Sequence, residues 1–286
     1  MAIGWERARE EREKIAAPVT EWLVRELAPK RGDTVLELAA GQGEVGFEIA
    51  PVLGESGRLI SSDFSPAMAE IARRRGAELG LTNVEHRILD AEQIELADDS
   101  VDGVLCRWGY MLMPDPAAAL AETRRVLRSR GRLAFSVWSS GARNPWISVA
   151  GRILVAHGHM PPPQPGEPGM FVLGDEEVLY RLVENAGFAN MRLEDVPVHN
   201  HYPSVDEYVR RSSEMGGMFS RAWAEASEGE QEQMKDEFRE AFDSLVREKY
   251  AIVDGDDVRL TREGLLRIDS LLPRFFEPEF RNIRYT

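Results

Sequence analysis

Five short apolar runs rich in β-branched residues occupy the first half of the chain: TVLEL at 34–38, RLISSD at 58–63, VEHRI at 84–88, VDGVLC at 101–106 and RLAFSVW at 132–138. Helical patterns stand between them, at 44–53, at 65–80 with Ser65 as cap and Pro66 in the first turn, and at 115–129. Alternation of this kind predicts an α/β fold with a parallel sheet and crossover helices. Residues 157–170 then hold five prolines and three glycines, which excludes helix and central strand and predicts a loop lying over a site. A helix at 174–188 ended by Gly187 and a sixth strand at 191–198 resume the pattern.

After Ser204 the sequence turns helical and acidic as far as Lys249, and AIVDGDDVRLT reads as a hairpin turned at Asp254 and Gly255. A last helix is predicted over TREGLLRIDSLLPRFF, and Asp257–Leu260 and Asn282–Tyr285 compete as the sheet's final antiparallel strand. The predicted organisation is an N-terminal helical segment at 1–30, a cofactor-binding domain at 31–200, and a helical cap with a C-terminal extension at 201–286.

The first run leads into GQGEVG at 41–46. Glycines after a strand let backbone approach a ligand, and the next helix offers free N–H groups. Asp63, at the end of the second run, stands twenty residues beyond Gly43, where a carboxylate can take ribose hydroxyls. On these residues alone NAD and S-adenosylmethionine (SAM) are both admitted.

Further features recur at regular stations: Glu37 before the glycines, LDAEQI after the third run, DDSVDGVLCRWG along the fourth, then a DP helix start and RRVLRSRGRLAFSVW. Together, over about residues 18–200, they resemble the class I SAM-dependent methyltransferases, and most closely the branch similar to ubiquinone and menaquinone C-methyltransferases. The resemblance implies a Rossmann-like, mostly parallel sheet of seven strands with an inserted helical cap, and SAM as cofactor with S-adenosylhomocysteine as product. It implies that Glu37 lies at the base of the methionine-end loop, with Ala39, Gly41 and Gly43 beneath the cofactor. The family usually has glycine at the position of Ala39, and a methyl group is tolerated there if φ stays negative.

By the same resemblance Asp63 takes the ribose hydroxyls, Phe64 and Met68 flank the adenine, and Asp90 with the Ala91 amide reads its edge. Asp90 as a plain cap and Met68 as plain core are the competing readings. Arg107 is expected at the methionine end, and Trp108, Tyr110 and Trp138 near the acceptor. Met218 belongs with Met215, Phe219 and Trp223 to an apolar helical face that either lines an acceptor pocket or packs as core or dimer contact.

Methyl transfer requires alignment and exclusion of water rather than a covalent intermediate. The histidine pairs His157/His159 and His199/His201 suit loop anchors better than a base or metal ligands, and no catalytic base is assigned. The expected acceptor is a small, apolar or aromatic molecule methylated at carbon or oxygen. The alternatives are an NAD-dependent oxidoreductase, for which no Tyr-x-x-x-Lys pair is found, and a non-catalytic binder of SAM or its product. The tail also faintly resembles the winged-helix ending of some coproporphyrinogen-oxidase-like proteins.

A formal charge of -14 opposes nucleic acid and anionic membranes as partners. A homodimer remains compatible. The single cysteine, Cys106, excludes an intrachain disulfide, and the charged N-terminus lacks a secretory pattern, so a cytoplasmic location is expected.

Overall fold

The computed structural model describes residues 9–260, apart from 165, 201, 215–216, 248–250 and 255–256. Strands β1 (Thr34–Glu37), β2 (Arg58–Asp63), β3 (Val84–Ile88), β4 (Val101–Arg107) and β5 (Leu127–Ser136) form one parallel sheet in the order β3-β2-β1-β4-β5. The order reverses between β1 and β4, and open α/β sheets bind ligands in the crevice that such a reversal leaves at the carboxyl ends.

Alternate residues of each strand feed opposite cores. Ile60, Val104 and Cys106 join one apolar cluster, whereas Leu59 and Leu105 join another. The first cluster is covered by α4 (Pro116–Val126), the second by α1 (Arg9–Leu27) and α2 (Gly46–Leu53). On α1 the buried residues Ala16, Val19, Leu23 and Leu27 follow helical spacing. Leu27 comes so close to β4 that a Cβ on Gly103 would lie 2.9 Å from Leu27 Cδ1, which fixes α1 flat against the sheet.

The helix starts obey local rules. Ser65 accepts the Met68 N–H at 3.4 Å ahead of α3 (Pro66–Glu78), with Pro66 in its first turn. Asp115 accepts the N–H groups of Ala117 and Ala118, and α4 stops at Val126, short of the predicted 129, because Leu127 already pairs with Val101 in β5.

A separate helical cap stands beyond the sheet. It combines α5 (Pro145–Ala156), α7 (Val205–Glu214), α8 (Gly217–Glu225) and α9 (Glu228–Arg247) around Val149, Leu154, Tyr208, Trp223, Met234 and Phe238. The cap thus draws one helix from before the proline-rich loop. Between its parts, α6 (Glu176–Asn185) returns to the sheet and buries Leu179 and Val183 there. The proline-rich segment is irregular as predicted, and its Gly169 N–H reaches Met111 O at 3.0 Å, tying the loop to the chain that leaves β4.

The described sheet has five strands where seven are expected. Residues 191–198 form no strand. Pro197 has no N–H to give a ladder, and the neighbouring charged side chains hold the segment elsewhere: Arg192 to Glu26, Glu194 to the Trp22 indole, and Asp195 to Arg143. The hairpin is present as β6 (Ala251–Asp254) and β7 (Asp257–Leu260), antiparallel with Val253 opposite Val258. It is a sheet of its own, so Asp257–Leu260 does not complete the main one. The predicted last helix and the Asn282–Tyr285 strand lie outside the described residues. Among the described residues no helix is long and apolar enough to cross a membrane.

Candidate active site

The three glycines of GQGEVG serve different ends. Gly41 has φ +56, and a Cβ there would meet nothing within 4 Å, so this residue faces open space at the rim. Gly43, at φ +78, is closed over by the Phe47 ring. Gly46 has no room for a side chain because the Glu37 carboxylate fills it.

Glu37 is 2% exposed and accepts the Gly46 N–H at 2.9 Å, bracing the end of β1 against the start of α2. Burial raises its carboxyl to about 7, against the lowering effect of the hydrogen bond from Gly46 and of the Arg107 charge. Glu37 therefore shapes the loop from below, shut off from the open rim.

Ala39 departs from expectation. Its φ is +50, in the left-handed region, not negative. The residue is tolerated because its methyl points to an exposed place on the rim, yet it comes close enough to the chain after β4 that a Cβ on Gly109 would lie 2.7 Å from it.

At the end of β2, Asp63 is half-buried and held by two backbone donors, Gly41 N–H to Oδ2 and Ser65 N–H to Oδ1, each at 2.8 Å. Each oxygen keeps a second lone pair, so the carboxylate is oriented and still able to accept. Beside it Phe64 is 74% exposed, and Ile88, paired with Asp63 in the strand register, is 63% exposed. Two large apolar side chains next to a fixed carboxylate suit an aromatic base joined to a sugar. Met68 is half-buried on the first turn of α3. Asp90 is exposed and accepts the Glu92 N–H at 2.9 Å, capping a turn, while Ala91 is buried.

Gln42 is buried between the two rim glycines, and neither its amide oxygen nor its nitrogen has a partner among the described residues. The rim thus offers an acceptor for hydroxyls and apolar cover for a ring. These residues fit an adenosine-bearing cofactor.

Arg107, at the end of β4, donates to Thr20 Oγ1 at 2.8 Å and pairs with Glu44, which also takes Arg12 at 2.6 Å. Two guanidiniums thus converge on one buried carboxylate, with Glu13 also close to Arg12 and Glu37 to Arg107. Burial chiefly, and then the Arg107 charge, lower the Arg12 guanidinium against the attraction of Glu44. A cavity of about 380 Å³, lined in part by Thr20, Glu44 and Arg107, opens between α1 and α2. Thr20, Arg12, Glu44, Gln42 and Ile88 went unread in the sequence. For Ile88 the signal was an apolar residue closing the third run; for Arg12 and Thr20 nothing local marks them.

Trp108 follows directly and has φ +57. Its N–H is bonded to Ser136 O at 2.9 Å, and its ring lies on Trp138 with centroids 4.7 Å apart and planes 9° from parallel. Trp108 and Trp138 line a second cavity of about 1400 Å³. Two other acceptor candidates are elsewhere. Tyr110 is fully buried, with its hydroxyl 2.7 Å from Thr123 Oγ1, because the turn after β4 points it into the core against Phe135. Met218 is 58% exposed and outside that lining, since α8 turns Phe219 and Trp223 inward to the cap core and Met218 away from it. Met215 lies outside the described residues.

The buried Cys106 thiol is pushed up to about 12 by burial, so it offers no nucleophile. His157 Nε2 is 2.9 Å from Glu237, and His159 Nε2 is 3.5 Å from Glu230, so this pair clasps the end of α5 to α9. His199 lines the large cavity, and His201 lies outside the described residues.

Residues 29–154 match the family model of a methyltransferase domain. The aklanonic acid methyltransferase DauC of Streptomyces sp. (strain C5) is 29% identical over 42% of this chain and 54% of its own length. The ubiquinone/menaquinone biosynthesis C-methyltransferase UbiE of Klebsiella pneumoniae (strain 342) is 28% identical over 60% of this chain and 70% of its own. The chain spans about half the length, or less, of the first curated relatives it matches, 22%, 52% and 54%. Among solved structures, the YcgJ protein of Bacillus subtilis superposes with a TM-score of 0.55 at 18% identity, covering 75% of this chain and 86% of that one. The [4+2]-cyclase SpnF does so with 0.51 at 19%, covering 77% and 74%; likeness at this level speaks for the fold alone. Over residues 29–154 these matches support a class I SAM-dependent methyltransferase domain, with SAM as its cofactor.

Proposed function

We propose that the protein transfers a methyl group from SAM to a small, apolar or aromatic acceptor, at carbon or oxygen. The observation that carries this reading is the Asp63 carboxylate, fixed by two backbone N–H groups beside the exposed Phe64 and Ile88. Asp63 would hold the ribose, Phe64, Ile88 and Met68 the adenine, and the loop of Ala39 and Gly41 would run beneath the methionine end. When bound, SAM supplies a sulfonium methyl that bonds to the acceptor's nucleophilic atom as the carbon–sulfur pair returns to sulfur, giving S-adenosylhomocysteine, with the acceptor's displaced proton passing to solvent.

The chain's own part is positioning. Glu37 and Gly46 set the loop, Arg107 and Arg12 place positive charge near its far end, and Gly169 draws the proline-rich segment over the chain after β4. In-line displacement asks for alignment and a dry site more than for proton transfer. Relatives named as an aklanonic acid methyltransferase and as a ubiquinone/menaquinone biosynthesis C-methyltransferase support an aromatic acceptor.

Isothermal titration with SAM, S-adenosylhomocysteine and NAD tests the cofactor site. Both sulfur nucleosides are expected to bind and NAD is not. Asp63→Ala removes two charge-assisted hydrogen bonds of roughly 1.5 kcal/mol or more each, a loss of about a hundredfold in affinity. Binding within threefold of the wild type would sink the assignment. Turnover of a panel of phenols, quinols, amines and carboxylates, followed by mass spectrometry, separates an enzyme from a protein that only binds the nucleoside.

A further inference from the structure

Glu44 stands where the order of the sheet reverses. The loop that leaves β1 carries it three residues past Gly41, whose N–H is bonded to Asp63, so the chain keeps it within about 11 Å of that glycine. On the other side of the reversal β4 ends in Arg107, and the turn after it brings Gly109 up to Ala39 on the same rim. Each oxygen of the Glu44 carboxylate meets a different guanidinium: Oε1 takes Arg12 of α1 at 2.6 Å, and Oε2 takes Arg107. The side chains of Glu44, Arg12 and Arg107 are 6%, 15% and 11% exposed, so the pairing is largely shielded from water.

Three observations set this pairing apart from a plain brace. Glu44 and Arg107 both line the cavity of about 380 Å³ between α1 and α2, so their contact borders open space. The helix α1 has other anchors: Glu13 holds Arg75 of α3 at 2.6 Å, and Leu23 and Leu27 are buried against the sheet. It stays seated if Glu44 lets go. Thr20 holds Nη1 of Arg107 at 2.8 Å, so Nη2 can change its carboxylate while the guanidinium keeps its aim.

We propose that Glu44 is an internal competitor of the cofactor: its carboxylate and the one at the amino-acid end of SAM contend for Arg12 and Arg107. The inference rests on the SAM reading and adds to it a contact within the chain that holds cofactor affinity down. The two rivals are the same chemistry, since a guanidinium takes either carboxylate through the same N–H groups. Once displaced, Glu44 turns into the cavity it already lines, where water hydrates it. A nucleoside that lacks the carboxylate has nothing to exchange and leaves Glu44 on its arginines.

The test titrates the full-length protein by calorimetry with S-adenosylhomocysteine and with 5′-methylthioadenosine, which keeps the adenosine and the sulfur and lacks the amino acid. Glu44→Gln should lower the thermal midpoint of the free protein, because two buried guanidiniums lose their anion. It should nevertheless bind S-adenosylhomocysteine about tenfold more tightly, the change that 1.4 kcal/mol makes, and methylthioadenosine as the wild type does. A plain brace would weaken both ligands, and so would distinguish itself by sign. Arg12→Gln should weaken S-adenosylhomocysteine about tenfold and leave methylthioadenosine unchanged. Should Glu44→Gln not fold, Glu44→Asp, one methylene short of the arginines, decides in its place, with S-adenosylhomocysteine bound about threefold more tightly. Unchanged or weaker S-adenosylhomocysteine binding in the Glu44 variant, or an Arg12→Gln effect that is absent or equal on both ligands, would overturn the proposal and leave the cofactor reading standing. Failure of both nucleosides to bind the wild type would remove the cofactor reading itself.

Discussion

Replacing Glu37 by glutamine separates the charge of this side chain from its hydrogen bond. The side chain is buried, accepts the Gly46 N–H through one oxygen, and has no partner for the other among the described residues. Burial raises its pKa from 4.5 to about 7. Between those values the folded protein holds a proton that the unfolded chain has released. Stability from this group is therefore full below about pH 4.5 and is lost as pH rises through 7, at roughly 1.4 kcal/mol per unit, or about 3 kcal/mol in all. Glutamine keeps an acceptor for Gly46 and never ionises. Urea unfolding of both proteins at pH 5 and pH 8 should show the variant gaining about 2.5 kcal/mol on the wild type over that interval. Parallel stability curves would mean that Glu37 ionises in the folded state as it does in water, and the effect ascribed to its burial would be wrong.

Ala39→Gly relieves a left-handed alanine, worth roughly 1–2 kcal/mol, against a glycine entropy cost of about 0.5–1. The variant should be more stable by about 0.5 kcal/mol in thermal unfolding and should bind S-adenosylhomocysteine no less tightly. Cys106 should resist a thiol reagent at pH 8 in the native protein and react fully in denaturant, because burial holds the thiol near 12; rapid labelling of the folded protein would show the end of β4 to be open.

The parallel sheet was legible because its information is local and periodic. Each of the five runs carries its own apolar pattern, and Ser65–Pro66 and Asp115–Pro116 mark helix starts that need no distant partner. The sixth strand was misread for the opposite reason. MRLEDVPV alternates well enough for a strand, but Arg192, Glu194 and Asp195 are spoken for by Glu26, Trp22 and Arg143, residues up to 172 positions away. Pattern shows what a segment can do, and the tertiary surroundings of that segment decide which option it takes.

The same division runs through the site. Asp63 and Gly41 lie together at the rim because strand–turn–helix geometry places them a fixed distance apart. Phe64 lies exposed beside Asp63, and the β2–β3 register adds the exposed Ile88. Tyr110 shows the limit: two residues past Trp108 on the same rim segment, it is as plausible an acceptor contact by sequence, yet the short turn at Tyr110–Leu112 rotates it into the core, where Thr123 satisfies its hydroxyl. Trp146 stayed hidden because its relation to Trp138 depends on how α5 leaves the sheet for the cap. The rim around Asp63 is therefore set by the sheet and readable from spacing. The surroundings of Trp138 and Trp146 are set by where α5 leaves the sheet for the cap, which no local spacing encodes.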